Sequence, residues 1–531
     1  MPGEQVRQRL IFPFKGRDDR YAFQDQPQQT TVRARNVWPD ALSRQRGGSR
    51  PGFSKAFSTT LGSKVLGIGT VTYVPDTSTR ITTKVVAVDD AGSVLSGTYG
   101  GTLTSIGTIS VSADHTLSMC ERNQLLYIAA HSDVQSESDG TYILKVYDPV
   151  AATLATVIPH AGVLPRGATC MCLFRDRLVL AGGTTNPYGI YMSRQGDPED
   201  WDYSELDEGA AVLLGTSDTT GVIGETVTSL TPLGDNCLVI GCPTTLWTLS
   251  GDPRFGGQLV NVSREIGVVD KYACCTTPDG LFIFLSADGI YAIPAGCGGK
   301  PTSISRERLP VELLNISRST ASTGKVVTLA YDTRHRGVHI WVSDRTSGST
   351  DAGNAHWFLD REDGGFWEVR YDQARFDPYC AVAMRNTPSS ESVVIAGCRD
   401  GYLRAYDVDH DHDDDADAST ERTISSYVTF GPLSDDPDMD ADVRLDQLDV
   451  TLSTDSGMVR GTIYRGNSAE EAIDNLDAEQ EATVCSLYAG RNPKKYPRVR
   501  GPALFVKLSS TAAWAYESGA ALLTRAGRTR V

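Results

Sequence analysis

Between Lys64 and Asp407 short runs of Val, Ile, Leu, Thr and Tyr alternate with clusters of Gly, Asp, Asn and Pro, the pattern of strands separated by tight turns. One theme returns: an apolar run, a polar turn, and a second run ending in an aromatic or aliphatic residue. It occupies 125–149, 176–193, 236–253, 280–294, 337–369 and 392–407. Each unit reads as a β-hairpin, with Asp288-Gly289 and Asp400-Gly401 supplying turns that accept positive φ. A lone hairpin is unstable in water, so the series must stack. Its spacing of roughly 40 to 60 residues suits propeller blades of ~40–50 residues, and ~45 per blade gives about seven to eight, with six also compatible with so degenerate a repeat. The expectation is an all-β chain built on a β-propeller of six to eight blades, which limits exposed strand edges by radial closure. Two packed β-sandwiches are the competing arrangement.

The flanks differ in texture. Residues 1–60 show no sustained periodicity and, up to Arg50, hold ten Lys and Arg against five Asp and Glu. They predict an extended, net positive N-terminal arm lying along its own body or a neighbour's, because so little apolar surface cannot fold alone. The propeller is then placed at 61–408, and the run DVDHDHDDDADAST supplies a solvated acidic linker at 409–420. Beyond it, residues 421–531 carry five strand-like runs and one helical stretch at 468–481, predicting a C-terminal β-domain of sandwich-like character. The closing RAGRTRV is basic and reads as flexible or docked on an acidic partner.

Composition narrows the function. A net charge of −16 over 531 residues argues against general nucleic-acid binding, which gains affinity by neutralising phosphates with Lys and Arg. No run approaches the ~20 apolar residues that span a bilayer, and none at the start has signal-peptide character. Assembly in a cytosol is expected. Eleven cysteines, an odd number scattered through strand-like runs, are read as buried free thiols.

The arm carries the most distinctive local order: DQPQQTT (25–31), VRARNVWP (32–39) and RQRGGSRPGF (44–53). Gly47-Gly48 opens backbone geometry closed to other residues, and Arg50-Pro51-Gly52 suits a tight turn with Gly at positive φ. Arg44, Arg46 and Arg50 then offer fork-shaped donors to carboxylates on the body or on a neighbouring subunit. This order resembles the start of the tail nozzle or hub proteins (the tail tubular protein B group) of short-tailed bacteriophages. FRDRLVLAGG with NPYGIYMSRQGDPEDWDY (174–203) and LVIGCPTTLWTLSGDP (238–253) are similar to blades of the same proteins.

The resemblance implies a non-enzymatic structural protein of the virion, assembled in the host bacterial cytoplasm. It would form a homo-oligomeric ring, six copies around the DNA-ejection channel, with Arg44, Arg46 and Arg50 at an intersubunit contact. Its partners would be further copies of itself and other tail proteins, the adaptor or portal on one side and fibres or tip on the other, while DNA passes without specific binding. A receptor-binding or polysaccharide-degrading tail component, and a propeller scaffold outside any virus, are the alternatives.

Other motifs dissolve on inspection. Gly47-Gly48-Ser49-Arg50-Pro51 half matches a nucleophile elbow but lacks the closing Gly and the strand-to-helix setting. Gly298-Gly299-Lys300-Pro301-Thr302 has Pro where a phosphate loop needs Ser or Thr. Ser286-Ala287-Asp288-Gly289 and Asp363-Gly364-Gly365 resemble Asp-box turns, which are structural. His335 and His339 have no Cys at zinc-ligand spacing and read as ordinary core or surface histidines. The run Asp409 to Asp415 lacks the Gly turn and terminal bidentate Glu of a calcium loop. No catalytic residue, cofactor or metal is expected.

Overall fold

The computed structural model describes residues 5–39, 47–75, 80–111, 116–129, 144–183, 186–217, 221–296, 299–305, 324–344, 355–371, 374–385, 392–414, 421–434 and 441–528. Among the described residues strand makes up 54% and helix 3%, which fixes the class as all-β. Seven four-stranded antiparallel sheets follow one another, at 65–108, 118–156, 170–214, 229–263, 274–303 and 325–369, with the last formed by Pro378–Arg385, Ser392–Cys398, Leu403–Asp407 and Gly52–Lys55. Each hairpin read from the sequence supplies the second and third strands of one sheet. Gly289 (φ 142°) and Gly401 (φ 82°) take the positive φ expected of their turns.

The sheets stand in a circle. The first strand of each packs against the first strand of the next, and Pro378–Arg385 packs against Val65–Tyr73 to complete the round. Between the fourth and fifth sheets the contact is Thr231 Oγ1 to Cys274 Sγ, 3.5 Å. This is a β-propeller-like ring whose inner strands are almost wholly apolar: Phe282–Ser286 and Gly289–Ile293, for example, are buried throughout. Burial on both faces explains why these runs are continuous in sequence rather than alternating. Side chains cross the middle of the ring. Lys271, which leads into the fifth sheet, donates from Nζ to the carbonyl of Thr169 (2.8 Å) and to that of Thr116, while the Tyr272 hydroxyl donates to Leu117. Those acceptors lead into the second and third sheets, so both side chains reach across the axis.

The arm does not stand off from the body. Gln5–Leu10 pairs with Tyr516–Arg528, Ala34–Arg35 with Ser426–Leu433, and Gly52–Lys55 with Leu403–Asp407, all antiparallel. Of the two courses expected, along its own body or a neighbour's, the arm takes the first. Phe12 stacks on Trp367 (5.6 Å between centroids) and Asn36 N donates to Glu368 O (2.8 Å), tying the arm to the outer strand of the sixth sheet.

The C-terminal part consists of a five-stranded and a four-stranded sheet, each with a strand of the arm at one edge. Their buried residues, Leu10, Phe430, Leu445, Ile463, Val506 and Leu523 among them, join one core with Trp341, Trp367 and Tyr406 of the sixth and seventh sheets. The five strand-like runs expected here are all strands, and the helix is Ala469–Asp477, N-capped by Ser468 Oγ, which accepts from Glu471 N (3.1 Å). Three strands lay outside the sequence reading: Arg422–Thr423, Val499–Gly501 and the long Tyr516–Arg528, which absorbs the first residues of the tail read as flexible or docked. Among the described residues no helix is long and apolar enough to cross a membrane.

Candidate functional site

The chain concentrates its buried charge at one place, where the arm, the sixth and seventh sheets and the acidic run meet. Arg50 is 2% exposed and grips Asp413 with two hydrogen bonds of 2.8 Å, while its Nε donates to Asn36 Oδ1 (3.0 Å). Asp413 Oδ1 also accepts from Phe53 N (2.9 Å), at the start of the strand that finishes the seventh sheet. Burial would lower the Arg50 pKa, but the charge and hydrogen bonds of Asp413, with smaller help from Tyr406 and Tyr371, together outweigh it and hold the guanidinium firmly protonated. Tyr371 and Tyr406 face the guanidinium at 5.3 and 5.9 Å. Beside it Arg404, fully buried, makes paired bonds to Asp400 (2.7 Å each) and to Asp414 (2.8 and 3.0 Å), with the Phe376 ring 4.3 Å away.

These contacts revise the sequence reading. Asp413 and Asp414, placed in a solvated linker, are 1% and 0% exposed because two buried guanidinium groups need their charge. Arg50 does meet a carboxylate, but one in its own chain, and its guanidinium is enclosed there rather than offered to a neighbour. Arg44 and Arg46 lie outside the described residues, as does Asp415. Gly47 has the positive φ expected (70°), and a Cβ there would strike the Phe12 ring. Gly52 is required for another reason than the one expected: it lies in a strand, and a Cβ would come within 2.2 Å of the His412 carbonyl. The signal for Arg404 was in the sequence, an arginine within the strand run Leu403–Asp407 that needs a carboxylate once buried.

Next to the ion pairs, the turn after Lys325–Asp332 brings together residues that spacing alone did not associate. Asp332 Oδ2 lies 2.7 Å from His335 Nδ1 and 3.1 Å from His339 Nε2, and Oδ1 accepts from Arg334 N (2.9 Å). Burial alone would raise the Asp332 carboxyl, but the hydrogen bonds to His335 and His339 outweigh it and hold it far below the usual carboxylate range. Burial lowers the His339 imidazole, overcoming the pull of Asp332 in the other direction. Trp38 packs on His335 and stacks on Phe358, and His339 stacks on Tyr406, whose hydroxyl bonds that of Tyr371 at 2.7 Å. The cluster is thereby continuous with Arg50.

Two imidazoles and a carboxylate whose donor atoms all lie within 4.8 Å form a donor set that suits a divalent transition cation. Here Oδ2 is already bonded to both rings, so the set is satisfied internally. His335 Nε2 and Trp38 Nε1 are buried without a hydrogen-bond partner, on rings 5.0 Å apart. The acidic run is likewise committed, Asp413 and Asp414 to the arginines and Asp411 to His412 (2.6 Å). Asp288, in one of the Asp-box-like turns, accepts from the Tyr291 hydroxyl (2.7 Å), a bond that braces its own hairpin.

Among the described residues nine cysteines are thiols, as expected, and burial pushes the Cys274 thiol up to about 11 and that of Cys120 up to about 12. Such thiols stay protonated near neutral pH and are weak nucleophiles. Cys237 departs from the expectation: it is disulfide-bonded.

No protein-family model matches the chain, and no curated protein does. Among solved structures, the extracellular domain of a putative one-component system of B. thetaiotaomicron matches at 12% identity and a TM-score of 0.42, over 67% of this chain and 40% of that one. YCF48 bound to D1 peptide matches at 14% and 0.39, over 67% and 97%, and a streptogramin B lyase at 11% and 0.41, over 67% and 98%. The chain therefore spans less than half of the first of these. These neighbours are β-propeller-like; at such identities and scores they assign no activity, and the fold description rests on the sheets themselves.

Proposed function

We propose that this chain is a non-enzymatic structural subunit of a bacteriophage tail, a nozzle or hub protein that forms a ring, six copies in number, around the channel through which the genome leaves. In this reading the seven four-stranded sheets are seven blades, and the two mixed sheets form a sandwich-like domain completed by the arm. The observation that carries it is the use made of the arm motifs on which the resemblance rests. Asn36, Trp38 and Arg50 enter the joint that holds arm, propeller and C-terminal part together. A joint of buried, mutually neutralised ions is suited to bearing load and leaves no charge poised for turnover.

The side chains that cross the axis support the same reading. Lys271 and Tyr272 occupy the middle of the ring of sheets, so a conduit for DNA lies between copies and not through one of them. Each copy carries −16, and an acidic wall keeps DNA from adhering as it moves. Permanent ring contacts require ~2,000 Å² or more of buried surface each.

The test is direct. Particles purified from infected cells are probed for the chain by mass spectrometry, and the isolated protein is imaged by negative-stain electron microscopy. Six-fold rings and presence in particles are expected. A chain absent from particles would instead favour the propeller scaffold outside any virus, and one present there that releases sugar from host surface polysaccharide would favour the receptor-binding or depolymerase alternative.

A further inference from the structure

On the C-terminal part, a cleft of about 520 Å³ has cationic walls. Arg7 and Arg9 stand on one side, from the edge strand Gln5–Leu10, and Arg491 and Lys494 on the other, from the loop running beside Ala441–Leu452. The floor between them is low: the strand register sets Arg9, Ala520 and Asp449 side by side on three neighbouring strands. Asp449 neutralises Arg7 at 3.2 Å. Arg9, Arg491 and Lys494 have no carboxylate in contact among the described residues. The loop that forms the second wall is charged one way only, with five Lys and Arg and no Asp or Glu between Tyr488 and Gly501. In a chain of net charge −16 such a surface calls for an anionic occupant.

The chain displays a matching surface elsewhere. Between Asp197 and Glu208, in the third sheet, there are seven carboxylates and no Lys or Arg. Arg194 reaches in to pair with Glu205 and Asp207, and Arg254 ties down the backbone carbonyls of the same two residues, so the loop is held in shape. At its tip Leu206 is 88% exposed, with Glu205, Asp207 and Glu208 around it. A leucine so placed gains nothing from water and is suited to a shallow, partly apolar floor bordered by cations.

We infer that the loop 202–208 of one copy seats in the cleft between Arg9 and Arg491 of the next, with Leu206 over Ala520. This rests on the ring reading above. Two different patches that complement each other make a heterologous contact, the kind that closes into rings by rotation. Nucleic acid is the less favoured occupant, because the exposed, acid-flanked leucine of the loop has no place in such a complex.

The full-length chain is tested by light scattering over a concentration series. A cleft variant carries Arg9→Glu, Arg491→Glu and Lys494→Glu; a loop variant carries Asp202→Lys, Leu206→Lys and Glu208→Lys; a third combines both. All changes are at exposed or half-exposed positions, so thermal unfolding is expected to stay where it is in each. Assembly of either single variant weakens by about a hundredfold in apparent dissociation constant, and the combined variant recovers most of it. Assembly unaffected by cleft reversal, or not recovered in the combined variant, overturns the contact while leaving the ring intact. An unaltered chain that stays single at all concentrations overturns both. Single-stranded DNA of twenty nucleotides is titrated alongside: binding lost in the cleft variant with assembly unchanged reassigns the cleft to nucleic acid and ends the inference.

Discussion

The third and fourth sheets and the joint between the seventh sheet and the arm are built from opposite materials. The former share a core of Val179, Ile190, Met192, Leu238, Ile240 and Leu249, with Cys172 and Cys242 filling small spaces. The latter encloses Arg50, Arg404, Asp332, His339, Asp413 and Asp414 among aromatic rings. Sheets that follow one another along the chain meet by default, and shape-filling apolar side chains are enough to hold them. The joint unites segments from distant parts of the chain. Nonspecific apolar packing would admit several alignments there, whereas a bidentate arginine and carboxylate admit one.

The largest expected effect is at the joint. Asp413→Ala strands a buried guanidinium and lowers stability by about 3–5 kcal/mol, measured by urea unfolding. Replacing the pair together, as Arg50→Met with Asp413→Leu, restores most of that loss, and the comparison then requires that hydrogen exchange in Gly52–Lys55 become faster than in the parent because alignment has lost its lock. Full protection in the double variant would show that the ions do no more than fill space. Ile240→Val in the regular sheets is expected to cost only about 0.5–1.5 kcal/mol by the same measurement.

Acid provides a third contrast. His339 is held below its ordinary value by burial, so the unfolded chain takes up a proton first. Stability is therefore complete above about pH 6.5, the unfolded value, and declines as pH falls through the folded value of His339. The depressed Asp332 adds a second loss at lower pH, beginning below the unfolded carboxylate value of about 4. Thermal unfolding followed from pH 7.5 to 5 should show the first decline in the parent and a flatter profile in His339→Asn. The smallest effect belongs to the surface: Arg7→Ala breaks an ion pair whose arginine side chain is 68% exposed and should shift stability by no more than about 1 kcal/mol.

The strands were legible because their signal is local. Asn236 to Pro253 reads as two apolar runs about a Pro-Thr-Thr turn whether or not the rest of the fold is known, and it forms Cys237–Gly241 and Leu246–Ser250. The helix after Ser468 was legible for the same reason, its cap and acidic first turn being contiguous. The joint was not legible, because each half is uninformative alone. DHDDD has the composition of a solvated run, and only the arrival of Arg50 and Arg404 from other parts of the chain makes Asp413 and Asp414 interior residues. His335 and His339 read as ordinary histidines, and Asp332 drew no notice, because a turn of the backbone, not a sequence interval, gathers the three. The edge strand Gln5–Leu10 was hidden by Arg7 and Arg9, whose charges belong to its open face.

The pairing of Phe53 with Tyr406 also orders events in time. Translation delivers Gly52–Lys55 roughly 350 residues before its hydrogen-bonding partner emerges, and bringing ends so far apart together is the slow, entropically opposed step of such a topology. Until the ribosome has passed Asp407 the ring of sheets stands unclosed, with Gly52–Lys55 lacking its partner strand, and the C-terminal sheets wait longer still for Tyr516–Arg528 to meet Gln5–Leu10. A nascent chain therefore reaches a shape fit for assembly only once Tyr516–Arg528 has been made.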